Sequence, residues 1–235
     1  MAHTGPLIPP FRILFEDQHL AVLSKSPNLL SQSDITGDPS LVDLLRVHFG
    51  RNYVGLVHRL DRNTSGLMVV AKRSKSADRL TAQLKSGELD RRYHALLFGA
   101  FADSSEQRWE HHLLKNENTN EVRIVTPTTP RAKLATLFAQ PLKTFPHPET
   151  GDLITLTGFR LETGRSHQIR IQSLASGHPL IGDQKYGSAK SMPLFSRPAL
   201  HSCRLEFTHP MSKERLEFEE RYSFDMIQFF STLLE

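Results

Sequence analysis

The chain has 235 residues, 38% of them apolar and 23% charged. That length supports one sizeable domain or two small ones with a buried core, and the composition excludes an unstructured chain or a helical membrane bundle. A formal charge of +4 permits an anionic partner such as RNA without requiring one.

Met1 to Pro10 has no Lys or Arg and carries three prolines, unlike a signal or transit segment, so a cytoplasmic protein is expected. Leu14 to Asp17 and His19 to Ser24 read as short strands around an Asp-Gln turn. Ser31 to Ser40 is a polar loop, after which Ser40 caps an amphipathic helix running through His48 and closed by Gly50. Val54 to Leu60 and Leu67 to Ala71 are apolar, strand-like runs. Lys72 to Leu84 is patterned as a helix, with Ala77, Leu80 and Leu84 on one face and Gly87 near its end. Arg92 to Gly99 returns as a strand, residues 103 to 121 show no clear pattern, and Pro141 to Asp152 reads as a surface loop. Ile154 to Leu161 alternates as a strand, and Arg165 to Ser176 predicts a helix stopped by Gly177 and Pro179. Leu200 to Phe207 with Leu216 to Arg221 predict a final hairpin, and Phe224 to Leu234 a closing helix. Strands and helices in mixed order favour an α+β fold.

A lone cysteine, Cys203, rules out an internal disulfide and a Cys-rich zinc site. The twelve histidines include no His-Glu-x-x-His, and His111 and His112 are neighbours that point apart on a regular element, so no metal is expected.

Three polar stretches carry the chemistry. His58-Arg59-Leu60-Asp61-Arg62-Asn63-Thr64-Ser65-Gly66-Leu67 joins two apolar runs, which anchors its polar residues at a tight connection. Taken alone, it reads equally well as a charged hairpin turn. Thr163-Gly164-Arg165-Ser166-His167-Gln168-Ile169-Arg170 follows a strand and opens a helix, where backbone N–H groups and the dipole favour anions; a helix start with solvated cations is the plainer alternative. His178-Pro179-Leu180-Ile181-Gly182-Asp183-Gln184-Lys185-Tyr186-Gly187 is a loop punctuated by Gly and Pro.

Taken together, and with Arg91-Arg92-Tyr93-His94-Ala95, Arg197 to Phe207 and His209-Pro210, these segments resemble the RluA-type pseudouridine synthases over about residues 11 to 222. The resemblance implies a single catalytic domain over residues 11–235 after a short tail at 1–10, without the S4 module that some relatives carry. It implies a bent, mostly antiparallel mixed sheet with flanking helices and a central RNA cleft. The activity implied is isomerisation of uridines in structured RNA (tRNA, rRNA or both), without a cofactor and as a monomer. By residue, Asp61 takes the place of the catalytic nucleophile, Tyr93 of the tyrosine under the target base, and Arg170 of the arginine paired with the aspartate. Arg59, Arg62, Arg92, Arg165 and His167 are the expected RNA contacts, Arg59 filling the gap left by the flipped nucleotide.

The residue types suit that chemistry. A carboxylate attacking C1′ or C6 divides one difficult step into easier ones, a guanidinium keeps it ionised and aimed, and extrusion of the nucleotide exposes the reacting atoms. One departure is Lys25-Ser26-Pro27-Asn28, where the family carries Lys-Pro-x-Gly; Asn tolerates a left-handed backbone, which preserves the turn. A catalytically silent RNA-binding or chaperone-like protein on the same fold is the main rival. A glycoside hydrolase would need a second carboxylate that the Asp61 loop lacks, and a uracil methyltransferase a Gly-rich nucleotide loop that the chain lacks.

Overall fold

The computed structural model describes residues 9–147, 150–187 and 195–232. The chain separates into two compact units, Met1–Leu89 with Glu206–Phe218, and Asp90–Leu205 with Glu219–Glu235.

The first unit opens with β1 (Phe11–Glu16) and β2 (Leu20–Lys25), antiparallel neighbours joined by a turn in which Asp17 Oδ1 accepts from the N–H of His19 and Leu20. Helix α1 (Leu41–Phe49) starts where expected. Ser40 and Asp43 form a reciprocal capping box, and Gly50 closes the helix at φ +60°. Strand β3 (Gly55–Leu56) is far shorter than the run Val54 to Leu60 suggests. The chain leaves the ladder at Val57: residues 57–64 form no strand, and side chains take over, Ser31 bonding the backbone of Leu60 and the His58 ring accepting from Val69 N–H. β4 (Ser65–Ala71) is buried at every position, lies between β2 and β3, and carries α2 (Ser74–Ser86) packed on it. Covering both faces of β4 explains why it reads as a continuous apolar run and not as an alternation.

The second unit is an antiparallel sheet of β5 (Asp90–Phe98), β9 (Leu153–Leu161), β8 (Lys133–Pro146), β6 (Gln107–Asn116) and β7 (Glu121–Val125), in that spatial order. Helix α3 (Gln168–Ala175) follows β9, and α4 (Phe224–Thr232) buries Met226 against Leu96, Ile154, Leu156, Ile181, Phe195 and Ala199. Strands β10 (Leu200–Thr208) and β11 (Arg215–Glu219) contribute residues to each unit. The α+β class is as the sequence suggests. Among the described residues no helix is long and apolar enough to cross a membrane.

Besides the shortened β3, three expectations need correction. The unpatterned stretch 103–121 contains the whole of β6, whose inward positions include Trp109 and Leu113 while Arg108 and Glu110 face outward. The first half of the supposed loop from Pro141 to Asp152, through Pro146, is strand. Pro141 sits at a register shift in β8, where its missing N–H costs no ladder bond, and the chain reverses only after His147, whose N–H bonds Asp152 O. Helix α3 begins at Gln168 instead of Arg165, because His167 takes a left-handed conformation at φ +52°. Of the closing helix, Leu233 and Leu234 lie outside the described residues.

Candidate active site

In the first unit, Asp61 sits on a loop fixed on both sides. Before it, Ser31 Oγ donates to Leu60 O at 2.6 Å and accepts from Leu60 N at 3.2 Å. After it, Lys25 reaches in from β2. This lysine is completely buried, and its Nζ donates to the carbonyls of Ser26, Leu29 and Arg62 at 2.9, 2.9 and 3.1 Å. Three charge-assisted bonds account for a burial that an ammonium otherwise resists. Thr64 N–H bonds Asp61 O at 3.0 Å and tightens the turn itself. His58 is buried, and its Nε2 accepts from Val69 N–H at 3.2 Å, which places the ring proton on Nδ1.

Asn28 adopts φ +61°, the left-handed conformation expected of it, and its Oδ1 accepts from Arg62 Nε at 3.0 Å. Arg62 Nη1 pairs with Asp38 at 2.6 Å. Arg62, expected as an RNA contact, therefore also ties the Asn28 turn and the Asp38 loop to the residue next to Asp61. Arg59 is exposed, and no sheet alternation relates it to Asp61 because β3 has already ended.

In the second unit, Tyr93 is buried on β5 opposite Phe159, while Arg92 points outward and pairs with Asp90 at 2.8 Å. Gln168 organises the start of α3: its Oε1 accepts from Thr163 Oγ1 and Arg165 N, and its Nε2 donates to Thr136 O. Arg165 is exposed, with Nε on Leu134 O. His167 is buried, and its Nδ1 lies 2.7 Å from the Tyr186 hydroxyl, which also accepts from Val122 N–H.

Arg170 is held by a residue to which the sequence reading gave no role. Asp183 takes Arg170 Nε and Nη2 at 2.7 and 2.8 Å, a bidentate pair with both partners buried, and its Oδ1 accepts further from Lys185 and Tyr186 N–H. The Arg170 guanidinium also lies over the Tyr186 ring at 5.0 Å. Burial pushes the Asp183 carboxyl up, but the Arg170 bond and charge, joined by the two backbone donors, outweigh it and leave the pKa below the ordinary carboxylate value. Gly182 makes the loop possible: at φ +73°, a Cβ there would stand 2.1 Å from Arg197 O.

Cys203 is buried and its thiol is pushed up to about 12 by desolvation, which leaves it protonated at neutral pH. Among the described residues no group of three or more His, Cys, Asp or Glu is gathered to hold a metal.

The family model described as RNA pseudouridylate synthase matches residues 19–175. The ribosomal large subunit pseudouridine synthase D of Zymomonas mobilis is 32% identical, over 99% of this chain and 76% of that protein. The protein of the same description from Vibrio cholerae is 30% identical, over 96% and 72%. Among solved structures, human RNA pseudouridylate synthase domain containing 1 shares the fold with a TM-score of 0.72 at 22% identity, covering 95% of this chain and 94% of that one.

Proposed function

Because the chain belongs to the RNA pseudouridylate synthase family, of the RluA type, and is an isomerase that converts uridine to pseudouridine, we propose that it acts through Asp61 on uridines of structured RNA. Large-subunit ribosomal RNA is the first substrate to test, since relatives are named for it; transfer RNA is the second.

In this reading the Asp61 carboxylate attacks C1′ or C6 of the target nucleotide. The N1–C1′ bond breaks, the uracil turns, C5 bonds to C1′, the bond to Asp61 breaks and returns the free carboxylate, and the C5 proton leaves while N1 gains one. The product is an isomer, so no redox partner or group donor is consumed. Tyr93 stacks under the base and helps remove the C5 proton through its hydroxyl. Arg170, aimed by Asp183, takes the role of the arginine that orients the nucleophile. Arg59 fills the space of the extruded nucleotide.

The observation that carries the reading is the anchoring of the Asp61 loop, by Ser31 at Leu60 and by Lys25 at Arg62. A nucleophile requires a fixed attack geometry; a surface turn of solvated charges requires no such anchoring. Deletion of the gene followed by pseudouridine mapping of total RNA tests the substrate. Loss of a ribosomal site, restored by the wild-type gene and not by Asp61→Ala, supports the proposal; an unchanged map contradicts it.

A further inference from the structure

Arg91 lies beside Tyr93 in the strand but was not among the expected RNA contacts, and its surroundings differ from those of Arg92. It is only 6% exposed, and its Nε is fully buried without a hydrogen-bond partner. Among the described residues no carboxylate pairs with it, whereas Arg92 is exposed and paired with Asp90. A buried N–H left without an acceptor is costly, because it gives up its bond to water and receives none in return. Such an orphan calls for a functional explanation.

The guanidinium rests against Gly164. A Cβ built at that residue would stand 3.0 Å from Arg91 Nη1, 3.4 Å from Nη2 and 3.7 Å from Cζ. Gly164 itself is exposed, so the end of an otherwise buried side chain reaches the surface there. The segment from Gly164 leads into α3, whose first turn has no side-chain cap. Arg91 and Tyr93 share the inward face of β5, two residues and so about 7 Å apart. That span is comparable with the reach from a nucleotide's base to its own phosphate.

We propose that Arg91, set against Gly164 at the approach to α3, is a subsite for one phosphodiester of the RNA substrate, next to the target base. The ligand class follows from the donor: a planar guanidinium takes a phosphate through two parallel N–H bonds. Glycine at 164 lets the backbone and the guanidinium approach the same anion. Exposed Arg165 adds favourable charge nearby, and exposed Glu162 opposes it. The inference rests on the isomerase reading above and adds a residue that grips the backbone while Tyr93 meets the base.

The test is the salt dependence of binding by the full chain to a synthetic uridine-containing RNA hairpin. Removing one phosphate contact lowers the slope of log affinity against log salt by about 0.7–0.9. Arg91→Ala should show that loss, and Arg91→Lys should keep the slope while binding more weakly. Replacing the phosphate beside the target uridine by a neutral methylphosphonate should cost the wild type the same slope and cost Arg91→Ala nothing further. Gly164→Ala, which forces the guanidinium aside by a few tenths of an ångström, should fall between. If Arg91→Ala does not fold, the methylphosphonate scan on wild type and Arg91→Lys decides, since one phosphate must stand out in both. A wild-type slope in folded Arg91→Ala, or a scan in which no phosphate stands out, overturns the subsite and leaves the isomerase reading intact. Failure of the wild-type protein to bind RNA overturns both.

Discussion

The turn around Asp61 is gathered by neutral backbone carbonyls on one buried ammonium, while Arg170 in the second unit is held by a buried carboxylate. The first arrangement fixes a loop through its neighbours, residues 60 and 62, and depends on Lys25 having three acceptors within reach. The second fixes a side chain directly through two parallel bonds and depends on Asp183 staying ionised. A loop held by its backbone is vulnerable to loss of shape, and a side chain held by an ion pair to loss of charge.

The largest effect should come from Lys25. Lys25→Met strips the donor from three buried or half-buried carbonyls and should cost on the order of 5 kcal/mol, read from the urea midpoint. An effect below about 1 kcal/mol would show that water or rearranged neighbours satisfy those carbonyls equally well. Asp183→Ala leaves Arg170 without its buried partner and should cost about 3–5 kcal/mol. The gentler Asp183→Asn should keep the fold and lower the single-turnover rate at least about tenfold, because the guanidinium is no longer aimed. Equal rates for Asp183→Asn and wild type would remove Asp183 from the mechanism.

Acid separates the charge-held region from its surroundings. His201, buried beside Glu220, has its pKa lowered to about 4 by desolvation. The unfolded chain therefore takes up a proton near pH 6.5 while the fold resists, and stability falls as pH drops from about 6.5 to 4, by up to roughly 3 kcal/mol. The Asp183–Arg170 contribution has the other position on the scale. Its folded pKa is depressed, so it is fully present above the ordinary carboxylate value and lost only as pH falls below it. Urea melts between pH 7 and 4 should show the first loss, and His201→Gln should flatten it. An unchanged slope in His201→Gln would assign the acid sensitivity to another group.

The smallest effect is at Asn28. Asn28→Gly keeps the left-handed backbone and loses only the bond to Arg62, costing less than about 1 kcal/mol, whereas Asn28→Ala adds strain of about 1 kcal/mol. The difference between the two variants, measured in one urea series, isolates the backbone share.

The asymmetry between the two regions also explains what could be read without a structure. The Asp61 loop stands out because polar residues are packed between two apolar runs, and α1 because Ser40, Asp43 and Gly50 are local signals. The partner of Arg170 is not local: Asp183 stands 13 residues away and meets it only because Gly182 turns the chain. Strand β6 was hidden because one face of it meets solvent and carries charge, which dilutes the apolar alternation to Trp109 and Leu113. Pro141 suggested a loop because a proline usually leaves a sheet; only the register shift beside it shows why this one remains. The start of α3 was read three residues early, since Gly164, Arg165 and Ser166 are spent on the turn that Gln168 organises. Arg91 was passed over for Arg92 because adjacent arginines are indistinguishable until the strand assigns them to opposite faces.

The central claim is that Asp61 makes and breaks bonds to uridine, and release of tritium from RNA labelled at uracil C5 reports on it most directly. Asp61→Asn and Asp61→Ala should release none while binding the RNA with nearly wild-type affinity. Tritium release by Asp61→Ala at the wild-type rate would contradict the account.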